Sequence, residues 1–368
     1  MDFRLTEQQE LIRETARAFF AKEFPPRRLR EVEAQGLEAF LPIYRRMAEL
    51  GFLGLAVPED AGGSGGTWLD LALLCEEAGR ALIPPVHITS AILAGQAILV
   101  LGTPSQQRDV LPRLLAGERV VAPAHLETEN DRRDAMPGTT ATPERSGFVL
   151  KGRKRFVESF EVAAALLVTA RGTSGRAGLY LVPREATGLR HREWVLQSLD
   201  RMTDVELDRV AVPGDAALTG AWETWLDVLD GAKLALAAYA TGAAQAALDM
   251  AVAYSKMRVQ FDRPIGSFQA LQHKLADAAM HVAQARVLVQ LAAWLRDTRG
   301  ACAEEAAMAK LVAGRALRRA AYTATLTHGG YGFMEEQEIQ LFFRRAKLLE
   351  HRLGGPADQH DLIVPGSE

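Results

Sequence analysis

The hydrophobic period of this chain changes twice, and that double change restricts the fold more than any single motif does. Up to about residue 118 the apolar residues recur at helical spacing. Thr6 and Gln9 form a capping-box pattern ahead of Leu11, Ile12, Ala16, Phe19 and Phe20, and the helix they predict ends before Pro25 and Pro26. Further helical stretches are expected over residues 40–50, 67–81, 83–102 and 105–116. From Glu118 short β-branched runs take over: VVAPAHLE, TTATPE, GFVLKGRKRFVE, AALLVTARG, AGLYLVPRE and DVELDRVAVP. Each is bounded by Gly, Pro, Asp or Ser, the pattern of a small antiparallel β unit. Helical spacing then returns over 226–256, 267–296, 303–328 and 336–352, which predicts an antiparallel four-helix bundle whose third helix ends at Gly329 and Gly330. The expected fold class is α+β multidomain. It comprises an N-terminal α-helical domain at 1–118, a middle antiparallel β domain at 119–216 and a C-terminal four-helix-bundle domain at 217–368, with a hinge near 213–220.

A chain of 368 residues is too long for one simple core, and 48% hydrophobic with 24% charged residues is ordinary soluble globular composition. A formal net charge of −3 argues against nucleic acid or an anionic membrane as main partner. The longest apolar stretch, 234–253, is interrupted by Gln245 and Asp249 and dominated by Ala and Gly, which favours close helix packing over a membrane span. Cys75 and Cys302 lack metal-ligand spacing, so no metal site is expected and the chain reads as a reduced, cytoplasmic protein. The opening MDFRLTEQQE is acidic and polar, unlike a secretory signal.

The densest chemistry lies in YSKMRVQFDRPIGSFQALQHKLADAA, residues 254–279. A helix arriving from upstream carries Arg258, Gln260 and Phe261, breaks at Pro264 and Gly266, and is expected to restart with Ser267 as N-cap. A guanidinium beside the free N–H groups of a helix start suits a phosphate or pyrophosphate, and Phe261 and Phe268 offer flat apolar surface to a ring. An ordinary helix corner with a surface Arg is the alternative. The run RVQFDRPIGSFQALQHKLAD resembles the R-x-Q-F-G-x-P-I-G-x-F-Q-x-x-Q-x-x-L-A-D signature of the flavin-dependent acyl-CoA dehydrogenase family, with Asp262 replacing the usual Gly. GLAVPEDAGGSGG, GRKRFV and HGGYGFMEE agree in family order, so the resemblance spans nearly the whole chain. The first of these is glycine-rich but lacks the Gly-Lys-Ser/Thr ending of a phosphate loop.

The resemblance implies FAD-dependent α,β-dehydrogenation of an acyl-CoA thioester. That reaction needs a base for the α-proton, hydrogen bonds at the thioester oxygen and a flavin to accept the β-hydride. By similarity, Arg258, Gln260, Phe261, Ile265, Phe268 and Gln269 match positions that contact FAD, usually the FAD of a neighbouring subunit, and Gly330 matches another contact. Leu326 stands where a Gln commonly precedes those glycines. In the β domain HLETENDRRD replaces the family's Thr-Glu-Pro…Gly-Ser-Asp, leaving Glu127, Thr128 and Glu129 as remnants. Phe156, Val157 and Glu158 stand for the Trp-Ile-Thr/Ser pattern that supplies a ring contact and a hydroxyl near the flavin. A carboxylate there would repel an electron-rich reduced ring, so Glu158 reads either as a cofactor contact or as a solvated strand end with Ser159 as substitute hydroxyl. Asp230 and Lys233 match substrate-helix positions near the thioester and pantetheine, with a plain surface ion pair as the alternative.

The base is the largest departure. The family's usual catalytic Glu falls on Leu353 and the minority position on Ala232, neither of which can take a proton. Asp230 lies two residues from Ala232, roughly 200° around the helix, and is no simple substitute. The ending LGGPADQH resembles small-subunit-type members of the family, such as the pimeloyl-CoA dehydrogenase small subunit. Asp358, His360 and Glu350 are the nearest titratable groups, each of which also reads as a solvated terminal residue. The resemblance thus implies a heteromeric partner subunit of the same family that supplies the Glu, with electron-transferring flavoprotein as acceptor. A self-sufficient homo-oligomeric flavoenzyme with a relocated base and a non-catalytic structural subunit with an empty flavin site are the other readings.

Overall fold

The structure is a computed structural model and describes residues 3–127 and 135–364. The Thr6 hydroxyl accepts from Gln9 N (3.2 Å) and the Gln9 side chain accepts from Thr6 N (3.0 Å), so the capping box opens α1 (Glu7–Glu23). An unexpected helix, α2 (Pro26–Gln35), follows at once. Pro26 occupies its first position, where the missing N–H is no loss, while PRRLREVEAQ buries only Leu29 and Val32 among its large apolar residues. Next come α3 (Leu41–Glu49) and α4 (Trp68–Arg80), the latter opened by a Thr67/Asp70 capping box. The stretch expected as one helix over 83–102 is π-helical over His87–Ala94 and continues as α5 (Gly95–Leu101). Two short helices, α6 (Pro104–Asp109) and α7 (Leu111–Leu115), close the helical part.

Seven strands then form one sheet: β1 (Val121–Ala124), β2 (Thr140–Glu144), β3 (Gly147–Glu158), β4 (Ala165–Gly172), β5 (Ala177–Pro183), β6 (Leu189–Val195) and β7 (Arg201–Pro213). Their order is β1-β4-β2-β3-β7-β6, with β5 also on β4. The antiparallel pairing expected from sequence holds for β2–β3, β3–β7, β4–β5 and β6–β7. By contrast β1 and β2 lie parallel to β4, pairing with its residues 165–168 and 171–172. Strand β6 was not expected. Its LRHREWV is charged on both faces and sits largely exposed at the sheet edge, so no alternation marks it.

The helical remainder comprises α8 (Trp222–Met257), a small hairpin of β8 (Val259–Gln260) and β9 (Arg263–Pro264), α9 (Gln269–Arg299), α10 (Ala303–His328), α11 (Ile339–His351) and an unexpected α12 (Pro356–Ile363). The chain divides into two compact units, one of Met1–Leu29, Thr67–Ile83 and Lys233–Glu368, the other of Arg30–Gly66 and Pro84–Ala232. The division falls inside α8. In the first unit α4 meets α8 backbone to backbone: a Cβ on Gly79 would lie 1.8 Å from Tyr239 O, and one on Gly242 would lie 1.7 Å from Glu76 O. The Tyr239 hydroxyl donates to Ile83 O (2.8 Å), and Arg17 grips the buried Glu77 through two bonds of 3.0 and 2.7 Å. In the second unit the core is the sheet, where Leu150, Leu166, Leu167, Val168 and Val205 are wholly buried. Among the described residues no helix is long and apolar enough to cross a membrane.

Candidate functional site

In the first unit the 254–269 corner is built on the end of α8. Arg258 N still bonds Tyr254 O (2.8 Å), after which Val259–Gln260 turns back onto Arg263–Pro264 and Ile265 N bonds Arg258 O (2.9 Å). The turn is made by Phe261 and Asp262, with φ of 53° and 61°. Asp262 thus takes a left-handed conformation that suits Gly best and Asn or Asp next, at a cost of roughly 1 kcal/mol. Ser267 is not the N-cap. Its hydroxyl donates to Pro264 O (2.7 Å) inside the tight turn Ile265–Ser267, and α9 starts from Phe268 with no side-chain cap. Leu271 N bonds Phe268 O (3.0 Å), and the first two N–H groups of this 31-residue helix, those of Gln269 and Ala270, have no capping side chain. Arg258 is exposed and makes no ion pair with any described residue.

The two rings at this corner are unequal. The Arg263 guanidinium lies 4.2 Å from the centre of the Phe268 ring, and Phe261 meets Phe268 edge-on, so Phe268 offers less open surface than expected. Phe261, 87% exposed, is the open one. Gln260 and Gln269 are exposed and Ile265 is half-buried. Sequence reasoning missed the stacking of Tyr254 on His328 (4.2 Å, 25°), which brings the start of HGGYGF against the end of α8. No local signal marks a ring pair made by two distant helix ends. Gly330 is exposed and a Cβ there would meet nothing within 4 Å, and Leu326 is exposed beside it.

In the second unit the corresponding residues cluster at a bulge in β3. The register with β7 shifts between Lys154 and Val157, and Phe156 adopts φ 52° with its ring half-exposed under the Arg155 guanidinium (4.6 Å). Lys154 is wholly buried, ion-paired to Glu127 and bonded to the Thr169 hydroxyl (2.9 Å). Burial pushes its ammonium down to about 8 against the pull of Glu127. Burial also works against the Glu127 carboxylate, but the Lys154 charge and bonds from Thr139 hold it below its ordinary range. Glu158 is the last residue of β3, paired with Met202, and is half-buried rather than fully solvated. The Ser159 hydroxyl meets Thr89 Oγ1 (3.0 Å), whose own proton faces the Pro85 and Val86 carbonyls, so it is already engaged. Thr128 and Glu129 lie outside the described residues.

Helix α8 carries the substrate-helix candidates. Asp230 and Lys233 are 1% and 2% exposed, which removes the reading of a surface ion pair. The alanine-rich α8 is enclosed on all sides here, so any polar group on it is interior. Ala232 is wholly buried, and Leu353 sits half-buried in a left-handed turn (φ 54°) after α11. Gln359 fixes that turn by donating to Leu353 O (3.2 Å) and Gly354 O (3.0 Å). The three nearby titratable groups have other surroundings. Glu350 is buried rather than solvated; burial pushes its carboxyl up, but Lys347 (2.8 Å) and Arg318 (3.2 Å) prevail and hold it below the ordinary range. Asp358 caps α12 through Gly355 N (2.7 Å), and His360 is exposed. Behind Glu350, the buried Lys310 donates to Leu349 O and Glu350 O, both at 2.9 Å. Burial pushes its ammonium down to about 7 despite Glu350, with Lys233 adding to the fall. The first unit also holds a cavity of about 380 Å³ lined by Phe20, Phe24, Met250, Leu341 and Phe342 beside the Arg17–Glu77 pair. Its lining includes none of the candidate cofactor or substrate residues.

Residues 6–118 match the N-terminal domain of acyl-CoA dehydrogenase, and residues 222–364 match its C-terminal domain. A probable acyl-CoA dehydrogenase, YngJ of Bacillus subtilis, is 34% identical over 367 residues, covering 95% of each chain. The chain belongs to the acyl-CoA dehydrogenase family. It is an oxidoreductase of that family, and FAD is the family's cofactor. Among solved structures, the Tcur3481-Tcur3483 steroid ACAD is 36% identical with a TM-score of 0.88 over 98% of both chains. The ChsE4-ChsE5 complex of Mycobacterium tuberculosis is 27% identical with a TM-score of 0.89 over 100% of both. The corner residues fit the chemistry of FAD: an exposed guanidinium and an uncapped helix start on the same corner suit a diphosphate, and an open aromatic ring suits a planar group.

Proposed function

We propose that this chain is one subunit of a heteromeric FAD-dependent acyl-CoA dehydrogenase, which oxidises the Cα–Cβ bond of an acyl-CoA thioester with a base supplied by a partner of the same family. The observation that carries this reading is the pair Leu353 and Ala232. Both positions where the family keeps its Glu are apolar, while Glu350 is ion-paired and Asp358 serves as a helix cap. The ChsE4-ChsE5 neighbour is a complex of two named proteins, which supports an assembly of unlike subunits. The steroid ACAD neighbour favours a bulky cyclic acyl group over a linear one.

In this reading Arg258 and the first N–H groups of α9 bind the diphosphate of FAD, Phe261 lies against a flat part of it, and Gln260, Ile265, Phe268, Gln269 and Gly330 complete that contact. Thr128, Phe156 and Glu158 belong to the ring side. FAD held there would supply the acceptor for the β-hydride of the substrate. Buried Asp230 and Lys233 orient the thioester and pantetheine, where a desolvated charge acts more strongly than it would at the surface. The electrons leave to an electron-transferring flavoprotein.

The visible spectrum and native mass of the chain, alone and together with a family member that retains the Glu, test the assembly. A chain that turns yellow and bleaches with acyl-CoA only beside that partner is the expected result. Flavin bound and bleached by the chain alone would overturn it. Within the complex, Arg258→Ala is expected to weaken FAD binding about tenfold, the worth of one charge-assisted contact, whereas Lys233→Ala chiefly raises KM for acyl-CoA. Equal FAD retention by wild type and Arg258→Ala would remove the cofactor assignment.

A further inference from the structure

We infer that Asp204 is a positioning residue that forces Phe156 into the conformation in which it meets the cofactor; this rests on the reading of Phe156 as a cofactor contact. Strand β3 carries one more residue than β7 between the pairs Lys154–Val205 and Val157–Thr203, so Arg155 and Phe156 face a gap that Asp204 alone spans. Inside a bulge the backbone N–H groups lose their ladder partners and must find others. Arg155 N turns away to Leu126 O (2.9 Å). Phe156 N turns toward β7 and donates to Asp204 Oδ1 (3.3 Å), while Arg155 Nε stands 3.4 Å from each carboxylate oxygen. One buried carboxylate, 4% exposed, thus holds the backbone N–H of Phe156 and the side chain of Arg155.

The conformation it holds is one that a bulky residue avoids. Phe156 sits at φ 52°, a left-handed geometry rare outside Gly, Asn and Asp, and such strain persists only where the surroundings over-determine it. The upstream side is already fixed. Lys154 is anchored by Glu127 and Thr169, and Glu127 also accepts from Gly138 N (2.6 Å) and Thr139 N (3.1 Å). With Lys154 immobile, the orientation of the Phe156 ring is decided by where its own N–H points, and Asp204 decides that. Asp204 itself is too buried to touch a ligand, so its effect passes through Phe156.

FAD dissociation constants of the assembled complex, measured by fluorescence titration, test this with Phe156→Ala, Asp204→Ala, the double variant and Asp204→Asn. Asp204→Ala is expected to weaken FAD about tenfold, to add nothing in the Phe156→Ala background, and to be largely rescued by Asp204→Asn, which keeps the acceptor. Weaker FAD in Phe156→Ala with no change in Asp204→Ala would overturn the inference and leave the cofactor reading standing. An equal loss from Asp204→Ala in both backgrounds would also overturn it, since Asp204 would then act elsewhere. No loss in Phe156→Ala would remove the reading of Phe156 and the inference with it. If Asp204→Ala does not fold, Asp204→Leu, which keeps the volume and lacks the acceptor, takes its place in the same comparison.

Discussion

Lys310 shows how much a single side chain can hide from a sequence. In AEEAAMAKLVAGRAL it has the look of a solvated helix lysine, yet it is 1% exposed and closes the last turn of α11. Lys233 and Arg352 add positive charge around it, against Glu350. Its folded-state pKa of about 7 lies below the unfolded value of 10.5, so between those limits the unfolded chain holds a proton that the folded chain has lost. Stability linked to this group is therefore fully present above pH 10.5 and is lost as the pH falls to about 7. Urea melts of wild type and Lys310→Met from pH 7 to 9 should show wild type gaining on the variant by up to roughly 1.4 kcal/mol per pH unit. A constant difference would mean that Lys310 keeps its proton throughout. The exposed positions of Arg258 and Phe261 at the corner were legible because residue type marks the helix break there. Ser267 was misread because a nearby carbonyl, Pro264 O, competes for its hydroxyl, and the burial of Asp230 and Lys233 was invisible because periodicity fails in a helix surrounded on every side.

At the scale of elements, most helices and strands were legible where period and turn chemistry agreed. The failures share a cause. In α2, β6 and α12 the apolar residues are too few to state a period, and the parallel pairings of β1 and β2 with β4 depend on contacts that no local pattern encodes. The α4–α8 crossing is a clear case of small residues with a task. Gly79 and Gly242 let the two backbones touch, and an added methyl at either would overlap a carbonyl oxygen outright. Backbone cannot step aside as a side-chain end can, so Gly79→Ala and Gly242→Ala should each cost about 2–3 kcal/mol, read as a lowered Tm. Gly330→Ala, with open space around it, should leave stability within about 0.5 kcal/mol of wild type and serves as control. Unchanged melting of both crossing variants would show that α4 and α8 can separate at little cost.

Across the whole molecule, the proposed function is divided as the structure is. The chain has an exposed cation, an uncapped helix start and an open ring that suit a cofactor, and in the proposed assembly the catalytic carboxylate comes from the partner. The same chain is also divided in time. Its first unit is assembled from three separated segments, so α1 is synthesised long before the helices that share its cavity. At about 5–20 residues per second, some 10–40 s pass between Leu29 and Lys233 leaving the ribosome, with Phe20 and Phe24 lacking Met250, Leu341 and Phe342. Nascent chains stalled before Lys233 should therefore be cut by protease within α1, whereas chains released at full length should resist. Equal resistance would mean that α1 and α4 suffice to protect each other. The wait exposes the aromatic face of α1 to chaperones and to neighbouring nascent chains, and gives co-translational assembly a window that a contiguous unit would close.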